Sequence, residues 1–144
     1  TEHIRDHIAG MDDYYNHSIY TGWQHWGQVI GNPLYRSPIY NTDNSIDVRN
    51  NRFYALHLGV EGSPTERLDY RVLTTYQKGW GTYNNPFTKA YKNLSFLVEA
   101  KYKFNHNWTV RGGYAMDFGS EKMYGHNAGF QLTVTKSGLL TKKK

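Results

Sequence analysis

From residue 53 onward, apolar and polar residues alternate with a period of two. In one run, Val98, Ala100 and Tyr102 alternate with Glu99 and Lys101. Alternating residues point to opposite faces of an extended strand, whereas a helix would repeat every three or four residues. The pattern recurs in five runs, at 54–60, 68–80, 94–104, 108–118 and 128–134. It predicts half-buried antiparallel β-strands.

Short joints alternate with longer connections between these runs. The short joints are 62–65 and 105–107, and the longer ones are 81–92, 119–125 and 24–52. In an antiparallel meander, this alternation places the tight turns at one end and the large loops at the other. A further strand at about 15–23 fits the same phase. We therefore expect an all-β, up-and-down meander of about six strands.

The domain organisation follows from the same pattern. A chain of 144 residues predicts one domain. We expect three segments, a lead-in loop or short helix at 1–13, strands with long loops on one side at 14–136, and a tail at 137–144.

Composition excludes several classes of function. The chain has no cysteine, which excludes a disulfide scaffold and a thiolate zinc site, and it has no apolar run long enough for a transmembrane helix. Its net charge of +5 comes partly from three lysines at 142–144. Elsewhere basic residues alternate with acidic ones, so we expect no nucleic-acid binding.

Two architectures produce such strands. In a soluble barrel or sandwich the apolar face points inward, whereas in an outer-membrane barrel it meets lipid. Predicted strands of about 10–14 residues are long enough to cross a membrane when tilted. Aromatic residues also gather at strand ends, as in the interfacial girdles of such barrels. These features favour a transmembrane β-barrel, with a soluble ligand- or glycan-binding β domain and a porin-like channel as alternatives.

The segment 15–31, YNHSIYTGWQHWGQVIG, resembles a hallmark of the capsule-assembly Wzi family. The similarity lies in a tyrosine and histidine before an Ile-Tyr pair, a glycine-aromatic step, and a Gly-x-x-Ile-Gly ending. Residues 43–45 and 31–34 are also similar, the latter to the Bacteroides-like branch. The rest of the chain is compatible only in its order of strands and loops.

The resemblance implies an outer-membrane β-barrel of about eighteen strands that binds capsular polysaccharide and helps to attach it to the bacterial surface. This chain would supply about a third of such a barrel, as its C-terminal portion. The expected partners are capsular polysaccharide, outer-membrane lipid and the remaining strands of a longer chain, or alternatively two further copies in a homotrimer. Outer-membrane barrels usually end on an aromatic residue, whereas this sequence ends on Thr-Lys-Lys-Lys.

Two groups of aromatic residues in predicted loops are candidates for sugar binding. Aromatic rings stack on the apolar C–H faces of sugars, and amide or guanidinium groups bond their hydroxyls. The alternative is an interfacial girdle with a packed loop. The candidate residues are Trp23, Trp26, Tyr35, Arg36, Tyr40, Trp80, Tyr83 and Tyr91. If the glycan is acidic, Arg36, Lys89 and Lys92 would complement its charge.

The sequence gives less support to a pore, a metal site or an enzyme. The charged residues of the strands can satisfy one another across neighbouring strands, or they can line a pore. His3 and His7 have helical metal-ligand spacing but no third ligand, so we expect no metal and no cofactor. Ser95 or Ser120 with His126 lacks a nucleophile motif, so we expect no enzyme and no catalytic residues.

Overall fold

The structure is a computed structural model, which describes residues 12–17, 19–20, 22–105 and 107–138. The predicted lead-in to residue 11, the His3 and His7 pair and the tail from residue 139 lie outside this range. The short elements are helix α1 (Asp13–Asn16), strands β1 (Gln24–His25) and β2 (Gln28–Val29), and a 3-10 turn (Pro38–Tyr40). The long strands are β3 (Phe53–Thr65), β4 (Leu68–Gly81), β5 (Pro86–Lys103), β6 (Trp108–Gly119) and β7 (His126–Lys136).

The five long strands form one antiparallel sheet in sequence order, from β3 to β7. The predicted all-β meander is therefore confirmed. Val98 on β5 lies opposite Tyr114 on β6, which in turn lies opposite Phe130 on β7. The next positions along the strands align Glu99, Gly113 and Gln131 on the other face. Because this register keeps the alternation in phase across the sheet, each face acquires one chemical character.

The strand predicted at 15–23 is wrong for the described residues of that segment. The amides of Tyr15 and Asn16 both donate to the carbonyl of Asp12, at 3.2 and 2.9 Å, which starts a helical turn. Farther along, Gly22 has a φ of +69°, a left-handed conformation that an extended strand does not contain. The long sheet accordingly has five strands rather than six.

Two predicted connections also differ from the structure. Residues 62–65 belong to β3, and the turn lies at 66–67, where the hydroxyl of Thr65 accepts the amide of Leu68 at 3.1 Å. The predicted loop at 81–92 is a turn of four residues followed by β5. Mutual bonds between Thr82 and Asn85 close this turn early, which leaves the residues from Pro86 onward free to pair.

The chain folds into two compact units. The loop unit contains the described residues of 12–54 together with 78–92. The sheet unit contains the described residues of 55–77 and 93–138. Among the described residues, no helix is long and apolar enough to span a membrane.

One face of the sheet unit carries large apolar side chains that are exposed. Phe130 is 71% exposed, Leu132 60% and Leu56 69%, although all three lie within strands. Only three hydrophobic residues are buried in the described part of the chain, and none lies in a strand of the sheet. Other exposed members of this face are Leu58, Val60, Tyr70, Leu94, Phe96, Val98, Tyr102, Tyr114, Phe118 and Val134.

The opposite face of the sheet unit is polar, and four ion-pair contacts join charged residues on it. Glu99 accepts the guanidinium of Arg71 at 3.3 Å and lies 3.9 Å from that of Arg111. Asp69 lies 3.1 Å from the ammonium of Lys101 and 3.6 Å from that of Lys103. The expectation that these strand charges satisfy one another is confirmed at these four contacts.

Candidate functional site

All eight residues that the sequence suggests for sugar binding belong to the loop unit. They divide into exposed rings, half-buried packing residues and one arginine engaged within the loop. Trp23, Trp26 and Tyr40 are 55%, 86% and 62% exposed. These three rings are therefore the ones available to a ligand.

Trp26 lies at the tip of the β1–β2 hairpin. Both turn residues are left-handed, with φ of 52° at Trp26 and 72° at Gly27, which is the conformation of a type I′ turn. The carbonyl of Gly27 accepts the amide of Ile39 at 2.9 Å and so fastens the hairpin to the 3-10 turn. This geometry places a large indole in solvent on a supported backbone.

Trp23 stacks on Tyr14, with ring centroids 5.7 Å apart and an interplanar angle of 12°. The amide of Trp23 donates to the carbonyl of Tyr14 at 3.1 Å, which brings the two residues together. Gly22 makes this approach possible because a Cβ there would lie 2.5 Å from that carbonyl oxygen. The sequence identified Trp23 as a candidate but missed Tyr14, which is 57% exposed and supports the Trp23 ring by stacking on it.

Tyr35 and Arg36 make their contacts within the loop unit. The half-buried ring of Tyr35 lies 4.6 Å from Tyr15 and 5.3 Å from Phe53 between centroids. Arg36 donates to the side-chain oxygen of Asn41 at 2.6 Å and to the carbonyl of Tyr40. Both residues therefore stabilise the loop through contacts within it.

The second predicted aromatic group is half-buried. Trp80 packs against Tyr54 at 5.8 Å between centroids, and the ammonium of Lys78 lies 5.4 Å from its ring. Tyr91 lies 5.2 Å from Phe87, with the ammonium of Lys89 5.8 Å from the ring of Tyr91. An ammonium group beside an aromatic ring is attracted to it by a cation–π interaction, and both residue types are common at membrane interfaces.

Asp12, which the sequence did not suggest, connects three segments of the loop unit. Its carboxylate accepts the side-chain amide of Asn51 at 2.7 Å and the backbone amides of Tyr83 and Asn84 at 3.1 and 2.8 Å. The residue is only 4% exposed. Burial by itself raises the pKa of Asp12, but these hydrogen bonds, with a further one from Thr82, together hold it below the usual value.

The Asp12 contacts should make the loop unit acid-sensitive. Because the pKa of Asp12 is lower in the folded protein, its contribution is complete above about pH 4 and is lost as the pH falls through the folded pKa. We expect the amides of Tyr83 and Asn84 to lose protection from hydrogen exchange in that range. At neutral pH, Asp12→Ala should cost about 1.5–3 kcal/mol of local stability.

Amides at the hydrogen-bonded positions between β6 and β7, such as that of Thr133 opposite Arg111, provide the internal control for this measurement. If the protection factors of the Tyr83 and Asn84 amides were the same at about pH 6 and about pH 2, the role of the Asp12 carboxylate would be contradicted.

Asparagine side chains hold the irregular backbone of the loop unit. Asn16 donates to the carbonyl of Val48 and accepts its amide, both at 2.7 Å, as a neighbouring strand would. Asn41 bonds the carbonyls of Ser45 and Asp47 at 3.0 Å. Asparagines are dense between 41 and 51, but the distant partners of each amide could not be read from that density.

Two cavities lie within the loop unit. The larger is an open cavity of about 540 Å³, lined by Asp12, Asn16, Asp47, Val48, Arg49, Thr82, Asn84, Asn85, Pro86 and Phe87. The smaller, of about 230 Å³, is also open and brings Tyr35 and Tyr83 together with Asp12, Tyr14, Tyr15, Asn51 and Arg52. The structure thus joins two of the predicted site residues in one small cavity, whereas the larger cavity contains none of the eight.

The remaining sequence candidates have structural partners. The hydroxyl of Ser95 donates to Asp117 and accepts the side-chain amide of Asn93, the latter at 3.0 Å. The hydroxyl of Ser120 accepts the amide of Lys122 at 3.3 Å. Within the described residues, no group of three or more histidine or acidic side chains is arranged to hold a metal ion.

Comparison with known proteins gives no match, since no protein family, no curated protein and no solved structure corresponds to the chain. The resemblance of residues 15–31 to the Wzi family stays a prediction. The physical basis for a function is therefore the sheet and the loop unit described above.

Proposed function

We propose that the protein is part of an outer-membrane β-barrel that binds capsular polysaccharide at the bacterial surface. The observation that carries the membrane part is the exposed apolar face of the sheet. A soluble sheet covers such a face with a second layer, because leaving apolar area in water costs about 25 cal/mol per Å². Lipid tails would cover Phe96, Leu132 and their neighbours without any second protein layer.

The length of the strands and the residues at their ends support a lipid environment for the apolar face. The five strands contain 11–18 residues, which meets the requirement of about 9–11 residues for a tilted membrane strand. At the β5–β6 turn, Phe104 packs at 5.0 Å from Tyr102. The ammonium of Lys136 lies 5.4 Å from the Trp108 ring, a combination that suits the headgroup region.

The edges of the sheet support a larger barrel. Within the described residues, β3 and β7 each have a neighbouring strand on one side only. Backbone groups at a bare edge cannot be satisfied by hydrocarbon, so a membrane sheet must close. We propose that further strands of a longer chain complete the barrel, and a homotrimer is the alternative.

The polysaccharide part rests on the exposed aromatic surface of the loop unit. Tyr14 and Trp23 present two nearly parallel rings, and Trp26 presents a third at a fixed hairpin tip. Exposed indoles cost free energy in water, and a sugar ring stacked on one would cover it. The resemblance of residues 15–31 to the Wzi family supports the same assignment.

Replacing Trp26 by alanine should weaken polysaccharide retention about fivefold, the equivalent of one stacking contact of about 1 kcal/mol. Retention is measured as labelled capsular polysaccharide held by cells that carry each variant. The matched control is Trp108→Ala, which removes an indole from the start of β6 in the sheet unit. Equal retention by the Trp26 variant and the unaltered protein would remove this ring from the binding surface.

A further inference from the structure

The larger cavity of the loop unit combines an aromatic ring with exposed polar side chains. Asn84 and Asn85 lie in the β4–β5 turn, Asp47 lies in the long loop before β3, and the ring of Phe87 lines the same cavity. Asp47, Asn84 and Asn85 are exposed residues, so their side chains are open to a ligand. Their backbones, by contrast, are held in place.

Three backbone hydrogen bonds fix these residues. The amide of Asn84 donates to Asp12 at 2.8 Å, and that of Asn85 donates to the Thr82 hydroxyl at 3.0 Å. The carbonyl of Asp47 accepts the side chain of Asn41 at 3.0 Å. Two amides and a carboxylate are therefore presented on a fixed backbone. Such preorganisation reduces the conformational entropy that binding costs.

The donor and acceptor set matches sugar hydroxyls. An asparagine side chain offers two donors and an acceptor, and a carboxylate accepts from two neighbouring hydroxyls. Phe87 adds an apolar surface for the C–H face of a sugar ring. A volume of about 540 Å³ is within the usual range for small-ligand sites.

The charges of the cavity discriminate between sugars. Asp12 and Asp47 contribute negative charge, while the guanidinium of Arg49 is already paired with Asp43 and donates to Ser45. Arg36, one of the three cations expected to meet an acidic glycan, is engaged with Asn41 and Tyr40. A uronic acid would therefore be repelled here, whereas a neutral sugar would not.

We infer that this cavity is a binding subsite for neutral hexose units of a polysaccharide, with Asn84, Asn85 and Asp47 bonding hydroxyls beside the ring of Phe87. The inference rests on the proposed function and adds a subsite, distinct from the exposed indoles, together with a class of sugar. It predicts selectivity for neutral over acidic chains.

Binding is measured with the protein in detergent micelles against dextran, mannan and galactan as neutral probes and polygalacturonate as the acidic probe. At least one neutral probe should bind more tightly than polygalacturonate. Asn84→Ala and Asn85→Ala should each weaken its binding about three- to tenfold. Asp47→Asn, which removes the charge but keeps hydrogen-bonding groups, should increase binding of polygalacturonate.

The control is Asn107→Ala, which removes an exposed asparagine side chain from the β5–β6 turn. Hydrogen exchange of the Tyr83 amide checks that each variant keeps the Asp12 contacts, since these use the backbone of residue 84. If a neutral probe binds to all variants equally, the proposed subsite is wrong, but the proposal that the protein binds polysaccharide is unaffected. Preference for polygalacturonate overturns the class of sugar. Failure of all four probes to bind overturns the inference and also counts against the proposed function.

Discussion

Replacing Phe130 by arginine should destabilise the protein in lipid by about 2–4 kcal/mol, the cost of a cation on the lipid face near the middle of a membrane strand. Phe130 lies near the centre of β7, on the apolar face and 71% exposed. If this face met water, the same substitution would cost little, because exposed surface positions tolerate charge. The measurement is the free energy of unfolding in lipid vesicles.

The neighbouring Gln131→Arg variant is the matched control. Gln131 lies at nearly the same depth of β7 but on the polar face, opposite Gly113. Arginine there should change the unfolding free energy by less than about 1 kcal/mol. Equal effects of the two substitutions would mean that lipid does not wet the face carrying Phe130, and the membrane assignment would fail.

Replacing Gly22 by alanine should disrupt the part of the loop unit that presents the Tyr14 and Trp23 rings. An added Cβ would lie 2.5 Å from the carbonyl oxygen of Tyr14 and 2.8 Å from the Cα of Tyr15, and neither backbone atom can yield easily. The left-handed φ of +69° adds about 1–2 kcal/mol of strain. We expect a total cost of several kcal/mol and faster proteolysis between residues 12 and 31.

The Gly125→Ala variant separates the effect of the steric clash from that of the left-handed φ. Gly125 has nearly the same φ, +72°, but a Cβ there would lie 4.0 Å from its nearest neighbour, the side-chain nitrogen of Asn127. Its replacement should cost only the conformational strain, about 1–2 kcal/mol. If the two glycine variants were equally stable, close packing at Gly22 would not hold the aromatic pair together.

The fold could be predicted from the sequence where alternation is long. Phe96 to Tyr102 keeps one phase without interruption, and the register found between β5 and β6 preserves it. The alternation failed to predict residues 15–23, where a strand was expected because it fitted the phase of the meander. There the helical turn depends on the Asp12 carbonyl, and the chain is redirected at Gly22.

The candidate site could be predicted by residue type but not by role. Trp23 and Trp26 are exposed as a binding surface requires, yet Arg36 bonds within its own loop. Asp12 was missed because its partners lie 39 to 72 residues away along the chain. Contacts between residues so far apart along the chain produce no periodic pattern in the sequence. They are apparent only from the three-dimensional structure.

The Glu99 carboxylate, which contacts guanidinium groups from the strands on both sides, also constrains how β4, β5 and β6 can align. A shift of β5 by one residue would turn Glu99 toward the apolar side and strand a charge there. A shift by two would keep the correct side but move the carboxylate about 7 Å along the strand from Arg71, and in one of the two directions away from Arg111 as well. Each of these shifts in register therefore costs Glu99 at least one of its ion-pair contacts. The observed register of β4, β5 and β6 is favoured over its nearest alternatives for that reason.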